Sequence, residues 1–315
     1  MNDPLVSIVI VCMNRMDNLR PCLQSIRENT GVSYETLVVA YLFNPDNLEA
    51  ARAEFPWVTF IESNEIRGFS ENNNLALGQA RGRYCFVLND DTEFSCPVID
   101  SLVSDIERLP ESAAIVSPKL LNADGSLQLC GRPPYPSRYY ALQQWHLHSE
   151  PLNDTVGKTP IFDEVYQTSN ITGAAFLIKR DIFESLGWFD EKYFFTPEDI
   201  ALSTLARERG FTVWVDAGVS IVHKWKTTAS RISTAVRPAA VKGSLLFFGR
   251  RSGISLLLLS IAVWCAEFSK RLKARLRYMV SPTESNLIKY RTFRNITAEI
   301  FSSRTPKEIF IKYYK

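Results

Sequence analysis

The sequence predicts an α/β fold, a mostly parallel sheet flanked by helices, and three observations carry that expectation. Short runs of β-branched and other apolar residues recur at strand length, apolar nearly throughout, as strands covered on both faces must be. Amphipathic stretches of helical period separate them. Polar clusters follow the runs directly, at the place where an open parallel sheet collects its ligands. The 315 residues, 46% apolar and 22% charged, suffice to bury a real core, which excludes a disordered chain and a disulfide-stapled mini-protein.

Leu5–Cys12 (LVSIVIVC) is the first strand. Asp17 then caps a helix whose Leu19, Leu23 and Ile26 share one face, with Pro21 near its first turn. Glu35–Leu42 (ETLVVAYL) and the short Val58–Glu62 (VTFIE) are the second and third strands. Asn72–Ala80 is a helix followed by Gly82, and Tyr84–Leu88 (YCFVL) is a fourth strand that runs into Asn89, Asp90 and Asp91. The middle, Ser117 to Ile161, is rich in Pro, Gly and aromatic residues, includes the irregular PPYPSRYY, and reads as a long ordered loop. Beyond it ITGAAFLIKR is strand-like and DIFESLGWFDE is a short helix and turn. TPEDIALSTLARERG is a helix with Thr196 as N-cap, Pro197 at N1 and Gly210 past its end. Thr212–Val215 is the last strand, and a return segment ends at His223.

From Val241 the character changes. Ser252–Ala266 is fifteen residues without a charge, preceded by Arg250 and Arg251 and followed by Lys270, Arg271, Lys273, Arg275 and Arg277. As a helix it spans about 22 Å, short of the roughly 30 Å of a bilayer core. The expectation is a helix lying in the interface at the cytoplasmic face of a membrane, with a buried helix or a dimer contact as alternatives. Ser281–Lys315 reads as amphipathic helices. The domain expectation is therefore 1–240, with halves of about 1–115 and 116–240, then a helical, basic region 241–315.

Lys plus Arg number 36 against 34 Asp plus Glu, a net charge of +2, which predicts no global attraction to nucleic acid. The six cysteines show no CxxC or metal-like spacing and read as reduced thiols in a cytoplasmic protein. The opening MNDPLVSIVIVCMNR has no basic segment ahead of its apolar run, so no secretory leader is expected.

No Walker loop or GxGxxG follows a strand, so phosphate capture by a glycine-rich loop is not the device used. A cation held by carboxylates is the natural substitute, and Asp90 and Asp91 stand at a strand end where they can hold one, although Asn and Asp also dominate ordinary turns. Glu198 and Asp199 open a helix, where acids suit the dipole and where a half-buried carboxylate can serve as a general base. His223 ends a β-like run and is either a packed histidine or a ligand. The aromatic turn around Asp190 and Glu191, with Trp188, suits a sugar ring or plain packing.

Taken in order, VSIVIVCMNRMDNLRPCLQSI, NEIRGFSENNNLALGQARGRYCFVLNDDTEF, SPKLLNADGSLQ and the stretch from ITGAAFLIKR to SIVHKW resemble the family 2 inverting glycosyltransferases, in particular the rhamnosyltransferase-like branch that builds bacterial surface polysaccharides. The resemblance covers roughly residues 5 to 225. It implies a GT-A fold, with a Rossmann-like nucleotide-binding half and an acceptor-binding half. It implies an inverting transfer of a sugar, hexosyl or rhamnosyl, from a nucleoside-diphosphate sugar to a hydroxyl of a glycan or lipid-linked glycan. Asn89-Asp90-Asp91 falls on the family's DxD position, which makes Asp91 a ligand of a divalent cation (Mn²⁺ or Mg²⁺) and Asp90 a nucleotide contact. His223 matches a second metal or diphosphate position. Asp199 matches the catalytic base and Glu198 its neighbour. Asn14, Arg67, Gly68 and Asn74 match the nucleotide pocket, and Gly173, Ala174, Trp188, Asp190 and Glu191 the donor and acceptor sides.

One departure is plain: where the family carries an Asp-Asn-x-Ser motif after the second strand, this chain reads Val39 to Phe43, without the base-reading Asp. Together with Asn89 in the first DxD place it leaves a rival, a non-catalytic glycan- or nucleotide-binding protein on the same fold. A nucleotidyltransferase would need a glycine-rich loop after the first strand, and CMNRMDN supplies none.

Overall fold

A computed structural model describes residues 3–133, 136–149, 158–224, 232–251 and 255–314. In chain order the elements are β1 (Val6–Cys12), α1 (Met16–Asn29), β2 (Tyr34–Tyr41), α2 (Pro45–Glu54), β3 (Val58–Ser63), α3 (Phe69–Leu77), β4 (Tyr84–Asn89), β5 (Thr92–Glu93) and α4 (Val98–Arg108). Then follow β6 (Ala113–Leu121), α5 (Ser137–Gln144), β7 (Val165–Thr168), β8 (Ala175–Lys179), α6 (Arg180–Ser185), α7 (Glu198–Glu208) and β9 (Thr212–His223). The helices α8 (Ser233–Arg251), α9 (Leu256–Val280), α10 (Glu284–Glu299) and α11 (Pro306–Tyr314) complete the chain. Two compact units result: one of Met1–Pro134, Pro151–Asp190 and Asp199–Trp225, the other of Tyr135–Glu150, Glu191–Glu198 and Lys226–Lys315.

The first unit is a nine-stranded sheet ordered β3-β2-β1-β4-β8-β6-β9-β5, with β7 also on β9. The strands β3, β2, β1 and β4 run parallel. Beyond them the sheet is mixed: β8 runs antiparallel to both β4 and β6, β6 and β9 are parallel, and β5 and β7 run against β9. The alternation of side chains along β1 sorts the core. Ile8 and Ile10 face Leu19, Leu23 and Ile26 of α1 and Val98, Leu102 and Ile106 of α4. Val9, on the other face, joins Ala76 and Leu77 of α3, Phe183 of α6 and Leu202 of α7. Each of the buried Val, Leu, Ile and Phe side chains among these stabilises the fold by roughly 1.5–3 kcal/mol.

Several elements differ from the expected ones for local reasons. Helix α1 starts at Met16, so Asp17 is not its cap but an acid of the first turn, bound to Arg15 at 2.6 and 2.8 Å. Helix α3 begins three residues before Asn72, because Gly68 donates its N–H to Glu71 at 2.8 Å in a capping box. The stretch from Ser117 is not all loop: its first residues continue β6, and it contains α5 and Arg132, which forms an isolated bridge to Asn170 beyond it. Pro118 hid that strand, and it sits where the β6–β9 register jumps from Pro118–Asp216 to Lys119–Ser220. The same bulge lets β9 continue to His223 instead of stopping at Val215. The strand expected from Ile171 is confined to Ala175–Lys179, which leaves Gly173 and Ala174 as a connection at its start. The expected features at residues 134–135, 150–157 and 252–254, and the Trp225 of the HKW motif, lie outside the described residues.

The second unit is helical. Phe310 of α11 is fully buried among the rings of Phe194, Phe195 and Tyr314. Glu299, buried at the end of α10, takes Lys312 at 2.6 Å, the Tyr313 hydroxyl at 2.7 Å and Arg304 at 3.3 Å. Ser255–Ala266 of the uncharged run forms the cap and first turns of α9. No helix among the described residues is long and apolar enough to cross a membrane. All six cysteines are free.

Candidate active site

The parallel pairings put the carboxyl ends of β1, β2, β3 and β4 on one rim, and the expected polar clusters follow three of them. Asn89 ends β4, Asp90 and Asp91 make the turn, and Thr92 of β5 pairs with His223 at the end of β9. That pairing brings His223 Nε2 to 3.3 Å from Asp91 Oδ1 across 132 positions of sequence. Both groups are buried, at 5% and 7% exposure.

The state of His223 follows from its neighbours. Gln128 Nε2 donates to the His223 carbonyl at 2.5 Å and to Asn122 Oδ1 at 2.8 Å, so the other atom of that amide is the acceptor. It lies 2.9 Å from His223 Nδ1, which therefore carries the proton. Nε2 is thereby turned towards Asp91, and the Asn89 amide nitrogen lies 3.4 Å from it. An imidazole nitrogen and a carboxylate facing each other can share a cation, and a histidine whose far nitrogen is held by an acceptor is the usual form of a metal ligand. Among the described residues no group of three or more His, Cys, Asp or Glu is placed to hold a metal ion. The two groups fit a cation whose remaining ligands are phosphate oxygens and water, as hard divalent ions commonly have.

Asp90 turns inwards, beneath the start of α1. Burial first, then the neighbouring Asp91, push its pKa up to about 7, against the opposing influence of Cys12, Arg15 and Asn18. Its Oδ2 is buried without a hydrogen-bond partner.

Asp199, the second residue of α7, is 8% exposed. Its Oδ1 accepts from the Ile200 N–H at 2.8 Å and its Oδ2 from the Gly173 N–H at 3.1 Å, with Arg132 Nη2 at 3.7 Å. A Cβ on residue 173 would lie 3.3 Å from Asp199 Cβ, a tight contact that glycine avoids. The next residue closes the circuit: the Ala174 carbonyl accepts from the Asn89 N–H at 2.9 Å. The backbones of two consecutive residues thus hold Asp199 and the start of the Asn89–Asp91 turn.

Other expected residues have different surroundings. Asn14, at φ 51°, follows β1, and its side-chain oxygen accepts from Asn44 N–H at 3.3 Å and Asn47 Nδ2 at 2.9 Å. Arg67 reaches Ser63 Oγ at 3.3 Å and Glu65 at 2.9 Å, while Gly68 caps α3. The Asn74 amide clasps both backbone groups of Phe189 at 3.0 and 3.2 Å and so fixes the turn that carries Trp188 and Asp190. Trp188 packs edge-on against Phe183. Glu191 is exposed and Glu198 is buried.

Two residues come to the site that sequence reasoning missed, Gln128 and Arg132. They belong to one segment, whose Leu129 carbonyl also accepts from Thr172 Oγ1 at 2.7 Å.

The chain matches Glycosyl transferase family 2 over residues 7–187. It is 28% identical over 240 residues to the O-antigen biosynthesis protein RfbC of Myxococcus xanthus, covering 75% of this chain and 18% of that one. It is 27% identical over 227 residues to the protein y4gI of Sinorhizobium fredii, covering 67% and 23%. The chain thus spans less than a quarter of the length of these curated relatives. Among solved structures it is similar to GalNAc-T7 with UDP, GalNAc and Mn²⁺, at a TM-score of 0.57 and 16% identity over 76% of this chain and 51% of that one. It is also similar to the mannosyltransferase PcManGT from Pyrobaculum calidifontis in complex with GDP-Man and Mn²⁺, at a TM-score of 0.53 and 15% identity over 100% and 87%. At these identities the likeness is one of fold.

Proposed function

The chain belongs to glycosyl transferase family 2, and on that premise we propose that it transfers a sugar, hexosyl or rhamnosyl, from a nucleoside-diphosphate sugar to a hydroxyl of a glycan or lipid-linked glycan, with inversion, in the synthesis of a cell-surface polysaccharide. The observation that carries this reading is the backbone of the adjacent residues Gly173 and Ala174, which ties Asp199 to the Asn89–Asp91 turn and thence to His223. The O-antigen relative supports the polymer, and the neighbours with UDP or GDP-Man support a nucleotide-sugar donor.

In this reading Asp199 is the base. Its carboxylate takes the proton of the acceptor hydroxyl as that oxygen bonds to the anomeric carbon from the face opposite the diphosphate, and the bond to the diphosphate breaks. The Gly173 and Ile200 N–H groups fix both carboxylate oxygens and so aim them. Asp91 and His223 hold a divalent cation, Mn²⁺ or Mg²⁺, which when bound supplies positive charge to the departing diphosphate. Asp90, beside Asp91 in the same turn, takes the nucleotide contact that the DxD position implies. The basic, apolar C-terminal region supports an acceptor met at the cytoplasmic face of a membrane.

The test is a pair of measurements. Thermal shift with UDP, dTDP, GDP and CDP, each with and without Mn²⁺, should reveal one nucleotide that raises the melting point only with the metal. Asp199→Asn should keep that shift and lose turnover by about 10²–10⁴-fold. Near-normal turnover in Asp199→Asn would remove the base assignment, and no shift with any nucleotide would favour a binding protein without turnover.

A further inference from the structure

Helix α9 has two apolar faces, and the helical unit uses one of them. Leu259, Val263, Ala266 and Ala274 are buried. Leu257, Leu258, Ile261, Leu272, Leu276 and Val280 are between 43% and 87% exposed. At about 100° per residue these six fall within an arc of about 140°, roughly opposite the buried ones. Contiguous apolar surface of this kind marks an interaction site.

Charge and aromatic placement point to its occupant. The only acid of α9, Glu267, is fully buried and paired with Lys270 at 2.6 Å. The exposed charges of the helix, Lys273, Arg275 and Arg277, are all positive, and by helical position Lys273 and Arg275 flank the stripe on its two edges. Beside its first half sits Trp145, 43% exposed, whose indole N–H donates to the Ala262 carbonyl at 3.2 Å. The Trp145 and Leu147 N–H groups both donate to the Leu142 carbonyl, at 3.1 and 2.9 Å, and this turn leaves Leu147 72% exposed. A tryptophan with its polar end satisfied and its ring uncovered suits a membrane–water interface.

We infer that the exposed stripe of α9, with the Trp145–Leu147 turn, is a docking surface for an anionic lipid bilayer, on which α9 lies flat along its length of about 37 Å. Cationic edges match anionic head groups and an apolar stripe matches the acyl boundary. A second copy is the poorer occupant, because two such helices would face each other with exposed cations and no exposed acid. The inference deepens the membrane-face reading above and rests on it.

Full-length protein is floated with vesicles of phosphatidylglycerol and phosphatidylcholine, and with phosphatidylcholine alone. Wild type should float with the anionic vesicles, and Leu257→Glu/Leu258→Glu and Lys273→Glu/Arg275→Glu should each lower the bound fraction by at least about tenfold. These variants should melt as wild type does. The emission that Trp145→Phe removes should shift to the blue on adding vesicles to wild type, a readout that needs no disruptive variant. Failure of wild type to bind any vesicle would sink the membrane-face reading and this inference with it. Binding of wild type and both variants alike, with no shift of the Trp145 emission, would overturn this surface while leaving that reading in place. Equal binding to phosphatidylcholine alone would overturn the anionic part. A dimer seen by light scattering and split by Leu257→Glu/Leu258→Glu would assign the stripe to a second copy.

Discussion

Single side chains decide the chemistry of the rim, and Gln128 is the one whose role is sharpest. It carries no charge, yet its oxygen accepts from His223 Nδ1 and turns Nε2 towards Asp91. Removal of such an outer partner typically lowers metal affinity 10–100-fold. Gln128→Leu should therefore raise the Mn²⁺ concentration needed for half-maximal nucleotide-induced stabilisation by about that factor, while Gln128→Glu, which keeps the acceptor, should be milder. An unchanged Mn²⁺ titration in Gln128→Leu would mean that the amide only packs. Asp91, Asp199 and His223 were legible because charged or ionisable residues stood at predicted element ends. Gln128 and Arg132 were not, since a neutral amide and an arginine in a Pro- and Gly-rich stretch carry no local mark. Their partners lie 95 and 67 positions away, and only the folded chain joins them.

At the scale of elements, the packing of α4 against β9 contains a built-in pH dependence. Burial first, and then the Asp216 carboxyl beside it, push Asp105 up to about 7. The folded state thus binds a proton that the unfolded chain, with an ordinary carboxylate, releases near pH 4. Stability from this pair is full below that pH, falls as pH rises, and is gone above about 7. Asp105→Asn should keep a hydrogen-bond donor for Asp216 without the charge. Its melting point should approach that of wild type at pH 5 and exceed it by a few degrees at pH 8. A gap that does not widen with pH would show that the two carboxyls share no proton. The elements themselves were read best where burial on both faces makes a continuous apolar run, as in β1, β2 and β4. They were read worst where a bulge breaks the pattern, as at Pro118 in β6 and at Asp216 and Gly218 in β9. Helix α2 was passed over although Asn44 caps it at 2.7 Å with Pro45 next, because only Leu48 and Ala51 of it are buried and its apolar face is too narrow to read.

At the scale of the whole molecule, the helical unit is stapled at Glu299. Burial alone would raise the pKa of this carboxyl, but hydrogen bonds from Lys312, Tyr313 and Ser302 outweigh it and hold it at about 2. Its contribution is complete above the ordinary glutamate range and is lost as pH falls through about 2. The unit should hold its helical circular dichroism down to pH values near 4. Glu299→Ala should cost about 2 kcal/mol at neutral pH by removing the charge-assisted hydrogen bonds from Lys312 and the Tyr313 hydroxyl. Loss of less than about 0.5 kcal/mol, the range of ordinary surface substitutions, would mean that the staple is decorative. Composition announced a helical, basic C-terminal region, but not that residues 135–150 and 191–198 belong to the same unit, because hydropathy carries no record of which distant helices a loop will join.

The direction of β8 has an effect reaching beyond pairing. Running against β4, it presents its beginning, not its end, beside the finish of β4. A strand of the opposite sense would have delivered Lys179 and Arg180 to that rim and sent Gly173 and Ala174 to the far side of the sheet. The polarity of one five-residue segment therefore works as an address, which determines which part of the later chain meets the acids of the earlier one. Insertions in the loop ahead of β8 reshape the rim, whereas insertions at the junction of β8 with α6 fall at the opposite rim of the sheet.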